Sequence, residues 1–240
     1  MEHPILFISV LLEALHLPVP HGLVGDSLLA KLVSPHMTYT WLVMAFLIIM
    51  PKLTIGKVEM VPGKAQNFWE AVISGMEGFM AENMGKEGAR MMFPMLATFA
   101  FYILVANMIG LMPGFMSPTS NLNITLGCTL IVFFTTHILG FKFHGLNYYK
   151  HFLGPVWWLT PLIAPIEIIS HLARILSLSI RLFGNIMAKE TLLGILFILA
   201  GAYFAPLPIL VLGVFVSIVQ ALVFVLLSIL YFSASMEHAH

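Results

Sequence analysis

Formal charge is scarce in this 240-residue chain: Asp, Glu, Lys and Arg together make up 9% of it. Soluble domains carry about 25%. With 60% apolar residues and a mean hydropathy of +0.97, the composition excludes a soluble globular protein and indicates an integral membrane protein. A single cysteine, Cys128, excludes an internal disulfide, and its apolar surroundings make it a packing residue. Basic and acidic residues balance at 11 each, which excludes the basic field that a nucleic-acid partner needs. No GxxxxGK[ST] loop is present to cradle a nucleotide, and no HExxH to hold a catalytic zinc. The close pair His238 and His240 lies past the last apolar run and reads as a solvated end. Residues 1–120 and 121–240 share no repeated pattern, which argues against the two-fold repeats of secondary transporters. At the start, Glu2 and His3 stand where a secretory signal carries basic residues, and the apolar run Pro4–Leu12 is too short for a span. Residues 1–36 read as an outer-side segment with a short helix at the surface.

What is present is a series of long uncharged runs. Val33–Pro51 holds no Asp, Glu, Lys or Arg, with Tyr39 and Trp41 near one end as interfacial aromatics, and gives a first span over 37–52. After Pro62 and Gly63, the apolar residues Phe68, Val72, Ile73, Met76, Phe79 and Met80 recur at helical spacing among Glu70, Glu77 and Glu82. This predicts an amphipathic helix over 62–88 lying against the membrane or another subunit. Met91–Phe141 is 51 residues without a formal charge, broken by PGFMSPTSNLN at 113–123, and predicts a helical hairpin over 91–141. Within it His137 is the one residue of a type that can change charge near neutral pH, and a histidine on an apolar helix is more often a satisfied core residue. A second hairpin is predicted over 152–236, where Pro155, Pro161 and Pro165 rule out a straight first arm and Ala205–Pro208 splits the arms. Both arms exceed the ~20 residues that cross a ~30 Å core, so each tilts, kinks or runs partly along the membrane. The fold class is an all-α membrane protein, a single domain of about five long helices plus an amphipathic surface helix. Lys and Arg concentrate in 52–90 and 142–150, which puts the N-terminus outside and the C-terminus in the cytoplasm.

The stretch from Glu167 to Glu190 concentrates what charge there is. Between Met91 and Met236 the charged residues are Lys142, Lys150, Glu167, Arg174, Arg181, Lys189 and Glu190, and the last five fall inside it. At about 100° per residue, Glu167, His171, Arg174, Ser177, Arg181 and Asn185 form one stripe. Arg181 is central, because a guanidinium keeps its charge at any physiological pH and is costly at membrane depth without a partner or water. Its neighbours one turn away, Ser177, Leu178, Gly184 and Asn185, are neutral, and Glu190 points to the opposite side. The missing anion therefore comes from another helix or another chain; a buried structural ion pair, for instance with Glu167, is the alternative.

The run SLSIRLFGNIMAKE, the later Gln220, the ending FVLLSILYFSAS and the segment SPTSNLNITLGCTL resemble subunit a of rotary F-type ATP synthases across roughly residues 37–236. The resemblance implies a stator subunit without a cofactor or bound nucleotide, not an enzyme alone, in a bacterial inner membrane. Its implied partners are a rotor ring of small two-helix subunits, the peripheral stalk subunit b and the rest of the synthase. It implies that the last two helices form a steeply tilted hairpin along the ring. Arg181 would be the latch that deprotonates the rotor carboxylate, between two aqueous half-paths. Glu190, Asn185, Gln220 and Asn107 match inlet positions, and Glu167, Ser170, Ser177 and Tyr231 match exit positions. For the polar members, hydrogen bonding between or within helices is the competing reading. The chain departs from the family where relatives carry an acid at the Gly110 position, an aspartate at Asn121 and a titratable partner of the inlet acid at Gly213, leaving Glu190 with water or a histidine from elsewhere. A secondary transporter or channel with a charged midplane site is the rival class.

Overall fold

The computed structural model describes residues 35–56, 59–112, 115–145, 160–200 and 207–236. Among these there are five α-helices, one 3-10 turn and no strand. All five helices are long and apolar enough to cross a membrane, so the chain is an all-α, multi-pass membrane protein. The N-terminal surface helix, Pro155 and the terminal histidines read from the sequence lie outside the described residues.

Helix α1, Pro35–Ile55, has proline at its first position, where a missing N–H costs nothing. It ends at Gly56, whose φ of +59° is the left-handed conformation that terminates helices. Its 21 residues span about 31 Å, one hydrocarbon thickness. Helix α2, Lys64–Ile109, follows Gly63 and runs 46 residues. It is two helices joined at Gly85, which has φ 77° and ψ 160°. The change from amphipathic to apolar character thus takes place through one glycine rather than a loop. In the first arm Phe68, Ile73 and Phe79 are exposed while Met80 is buried, so most of the apolar stripe faces outward. Gln66 in the first turn bonds back to the Glu59 backbone at 3.0 and 3.2 Å, tying down the approach to the helix.

A 3-10 turn, Pro118–Ser120, leads into α3, Leu122–His144, which ends at Gly145 with φ +55°. Along α3, Thr129, Thr135 and Thr136 return their hydroxyls to carbonyls four residues back, which lets polar side chains sit in an apolar environment. Helix α4, Thr160–Ala200, holds Pro161 in its first turn and Pro165 inside it. Helix α5 is Leu207–Met236. At 41 and 30 residues they extend about 61 and 45 Å.

The chain forms two compact units. The first consists of the residues up to Gln66, Phe101–Asn121 and Phe183–Ala221; the second of Asn67–Ala100, Leu122–Leu182 and Leu222 onward. Tyr39, Val43, Ile103, Ala106 and Ile186 are among the buried residues of the first unit. In the second, Met80, Leu96, Leu178, Phe224 and Phe232 are buried, and the Phe99 and Phe224 rings meet at 5.6 Å. Gly88 permits close packing there, because a Cβ at that position would lie 2.9 Å from the Met236 methyl carbon.

Candidate functional site

In the first unit the site is built on the carboxyl end of α2. A helix end leaves four carbonyls without helical partners, and each costs several kcal/mol if left bare in a membrane interior. All four are satisfied here. Ser117 Oγ donates to Ala106 O at 2.9 Å and Lys189 Nζ to Asn107 O at 3.1 Å. The Leu111 and Met112 N–H groups donate to Met108 O and Ile109 O at 3.1 and 3.0 Å.

The turn that supplies Ser117 also supplies Thr119, which donates to Asn107 Oδ1 at 2.6 Å. Ser117 and Thr119 hydroxyl oxygens lie 2.7 Å apart. Two hydroxyl hydrogens thus serve three short contacts, and rotation of either hydroxyl exchanges which contact holds a hydrogen. Glu190 Oε1 accepts the Ser117 N–H at 3.0 Å. Gly110 makes room for this, since a Cβ there would lie 2.7 Å from Ser117 Cβ and 3.1 Å from Glu190 Oε1. Asn185 Nδ2 donates to Gln220 Oε1 at 2.8 Å. Asn107 Nδ2 and Gln220 Nε2 are buried donors without an acceptor among the described residues. All four residues that the resemblance matched to an inlet, Glu190, Asn185, Gln220 and Asn107, therefore belong to this unit, in two hydrogen-bonded groups.

In the second unit, Glu167 Oε1 and His171 Nε2 stand 3.3 Å apart, one turn apart on α4. The His171 ring lies 5.1 Å from the ring of His137. His137 stacks on Phe133 at 4.2 Å and bonds the Phe133 carbonyl through Nδ1 at 2.9 Å, which makes Nδ1 the nitrogen that carries hydrogen. Arg174 lies over the Tyr231 ring, 5.5 Å from its centroid, a cation–π contact. A cavity of about 20 Å³, room for about one water, is bordered by Thr129, Thr136, His171, Arg174 and Tyr231. Glu167, Ser170, Ser177 and Tyr231, matched to an exit, all belong to this unit, Ser170 half buried beside His171.

Arg181 differs from every other charged residue on α4. It is exposed, and Ser177 Oγ at 3.5 Å is its hydrogen-bond partner, a long and weak contact. The ion pairs among the described residues are Arg90–Glu77 and His171–Glu167, so no described carboxylate pairs with Arg181. Of the residues one turn away, Ser177 and Asn185 are exposed, Gly184 is half-buried and Leu178 is buried. The guanidinium thus stands on an exposed side of α4 among small and neutral polar side chains. The sequence stripe resolves into separate contacts: Glu167 with His171, Arg174 with Tyr231, Ser177 with Arg181, and Asn185 with Gln220.

Sequence reasoning missed Ser117, Thr119 and the seat of Lys189. The hydroxyls of PTSN signal a turn, and nothing local shows which helix end they close. No group of three or more His, Cys, Asp or Glu able to hold a metal occurs among the described residues.

Comparison with known proteins matches residues 37–233 to the family described as ATP synthase A chain. An ATP synthase subunit a from Desulfotalea psychrophila is 67% identical over 240 residues, covering 100% of both chains. Those from Syntrophobacter fumaroxidans and Desulfosudis oleivorans are 54% and 55% identical, again over the full length of both.

Proposed function

The chain belongs to the ATP synthase A chain family, and from that premise we propose that it is the stator subunit that conducts protons past a rotor ring of small two-helix subunits. The observation that carries this reading is Arg181, an exposed guanidinium on a membrane-capable helix with no described carboxylate paired to it. A charge so placed is stable only against water or an anion from beyond the described residues.

A carboxyl group riding a ring through lipid must be neutral, because carrying it ionised into hydrocarbon costs several kcal/mol or more. Beside a guanidinium the preference reverses, and the acid gives up its proton. Arg181 holds its own hydrogens throughout, so it relays none and separates the two half-paths. The first unit provides the inlet: Glu190 takes up the proton, with Asn107, Asn185 and Gln220 as polar lining. The buried donors Asn107 Nδ2 and Gln220 Nε2 favour an ordered-water path, since such groups need an acceptor. The second unit provides the exit, through Glu167, Ser170, Ser177 and Tyr231 and the water-sized cavity beside Tyr231. The peripheral stalk subunit b and the rest of the synthase hold the chain against the torque of the ring, in a bacterial inner membrane with the N-terminus outside.

The test uses inverted membrane vesicles containing the assembled complex. Arg181→Ala abolishes ATP-driven acidification, with sodium present or absent, while the chain still co-purifies with the ring. Normal pumping by that variant would refute the latch. Glu190→Gln slows synthesis driven by an imposed proton gradient, and equal rates at every outer pH would remove Glu190 from the inlet.

A further inference from the structure

Lys189 is a lysine buried to 7% exposure, immediately before the inlet carboxylate Glu190. Its ammonium sits 3.1 Å from Asn107 O, at the carboxyl end of α2, where the helix dipole favours a cation. Its stem occupies space that α5 leaves open at Gly213: a Cβ there would lie 3.1 Å from Lys189 Cδ and 2.5 Å from Leu111 Cδ2. Consecutive residues on a helix diverge by about 100°, and the two side chains bond neutral groups, Lys189 the Asn107 carbonyl and Glu190 the Ser117 N–H. They interact through space, in surroundings of low dielectric that strengthen the interaction.

We propose that Lys189 is a positioning residue of the inlet: a tethered cation, seated through the gap at Gly213, that supplies the fixed positive charge against which Glu190 exchanges its proton. This rests on the reading of Glu190 as the inlet acid. The other groups facing Glu190 are neutral, namely the Ser117 N–H and the Ser120 side chain, with the neutral Asn185 and Gln220 in the same unit. Helix α1, which packs on the 3-10 turn, contributes His36 in its first turn. The remaining described ionisable Lys and Glu of the unit, Lys52, Glu59 and Lys64, lie at or beyond the far end of α1. A cap on Asn107 O needs only a hydrogen-bond donor, whereas the role proposed here needs charge, so the two are separable.

The experiment measures ATP synthesis by the whole complex in vesicles while the pH on the inlet side is varied. Lys189→Gln keeps a donor for Asn107 O and deletes the charge. Without the cation the carboxyl keeps its proton to higher pH, so the inlet pH giving half-maximal synthesis rises by about one unit. Lys189→Arg restores the wild-type midpoint. Gly213→Ala, which crowds the lysine stem, moves the midpoint in the same direction with Lys189 still present, and it carries the test if Lys189→Gln fails to co-purify with the ring. An unmoved midpoint in the assembled variants overturns the proposal and leaves Lys189 a helix cap. If Glu190→Gln also leaves rate and midpoint unchanged, the reading of Glu190 has failed instead.

Discussion

Thr119 is the residue on which the cluster at the carboxyl end of α2 turns, because its hydroxyl is the donor to Asn107 Oδ1 while Asn107 Nδ2 has no acceptor among the described residues. Thr119→Val keeps the shape and leaves both ends of a fully buried amide without protein partners. Removing one partner of a buried polar group costs ~1–3 kcal/mol, so the complex should release this subunit at a lower temperature, with Thr119→Ser close to wild type. Equal release temperatures for the valine and serine variants would show that the Thr119 contact contributes little. Asn107, Asn185, Gln220 and Glu190 were legible as candidates because polar residues are few at this depth and the motif gives their order. Ser117, Thr119 and Lys189 were not, because a hydroxyl in a turn or a lysine beside a glutamate has many ordinary explanations until its partner is known.

Gly85 sets the form of α2. Its φ of 77° lies in the region that L side chains rarely adopt, and an added Cβ would meet nothing within 4 Å, so the requirement there is one of backbone and not of space. Gly85→Ala is expected to destabilise by about 1–3 kcal/mol, read as a lower thermal midpoint of the purified complex; an unchanged midpoint means that the break relaxes into regular helix. The amphipathic pattern before this glycine and the apolar run after it were both visible in the sequence, since periodicity and hydropathy are local. The absence of a loop between them was not, because a glycine inside a helical pattern reads equally as helix, break or cap. In α4, likewise, spacing put six polar residues on one stripe, while their partners depend on which helices lie alongside.

At the scale of the molecule, the five helices able to span among the described residues and the clustering of Lys and Arg in 52–90 and 142–150 set an expected orientation. In a Cys128→Ser background, Met60→Cys should react with a membrane-impermeant maleimide from the cytoplasmic side, and Met112→Cys from the outside. Both positions are well exposed, at 105% and 58%. Labelling of both from the same side would overturn the assignment.

Membership of the membrane class, the approximate spans, the family and the identity of the central arginine follow from the chain's covalent order, because hydropathy, turn chemistry and a short charged motif are all properties of neighbouring residues. The closure of the α2 carboxyl end, the seat of Lys189 over Gly213 and the meeting of His137 with His171 follow only from folding. Contacts such as Ser117 with Glu190 and Asn107 with Lys189 join positions 73 and 82 residues apart, and no local pattern records which distant group will satisfy a buried carbonyl or carboxylate.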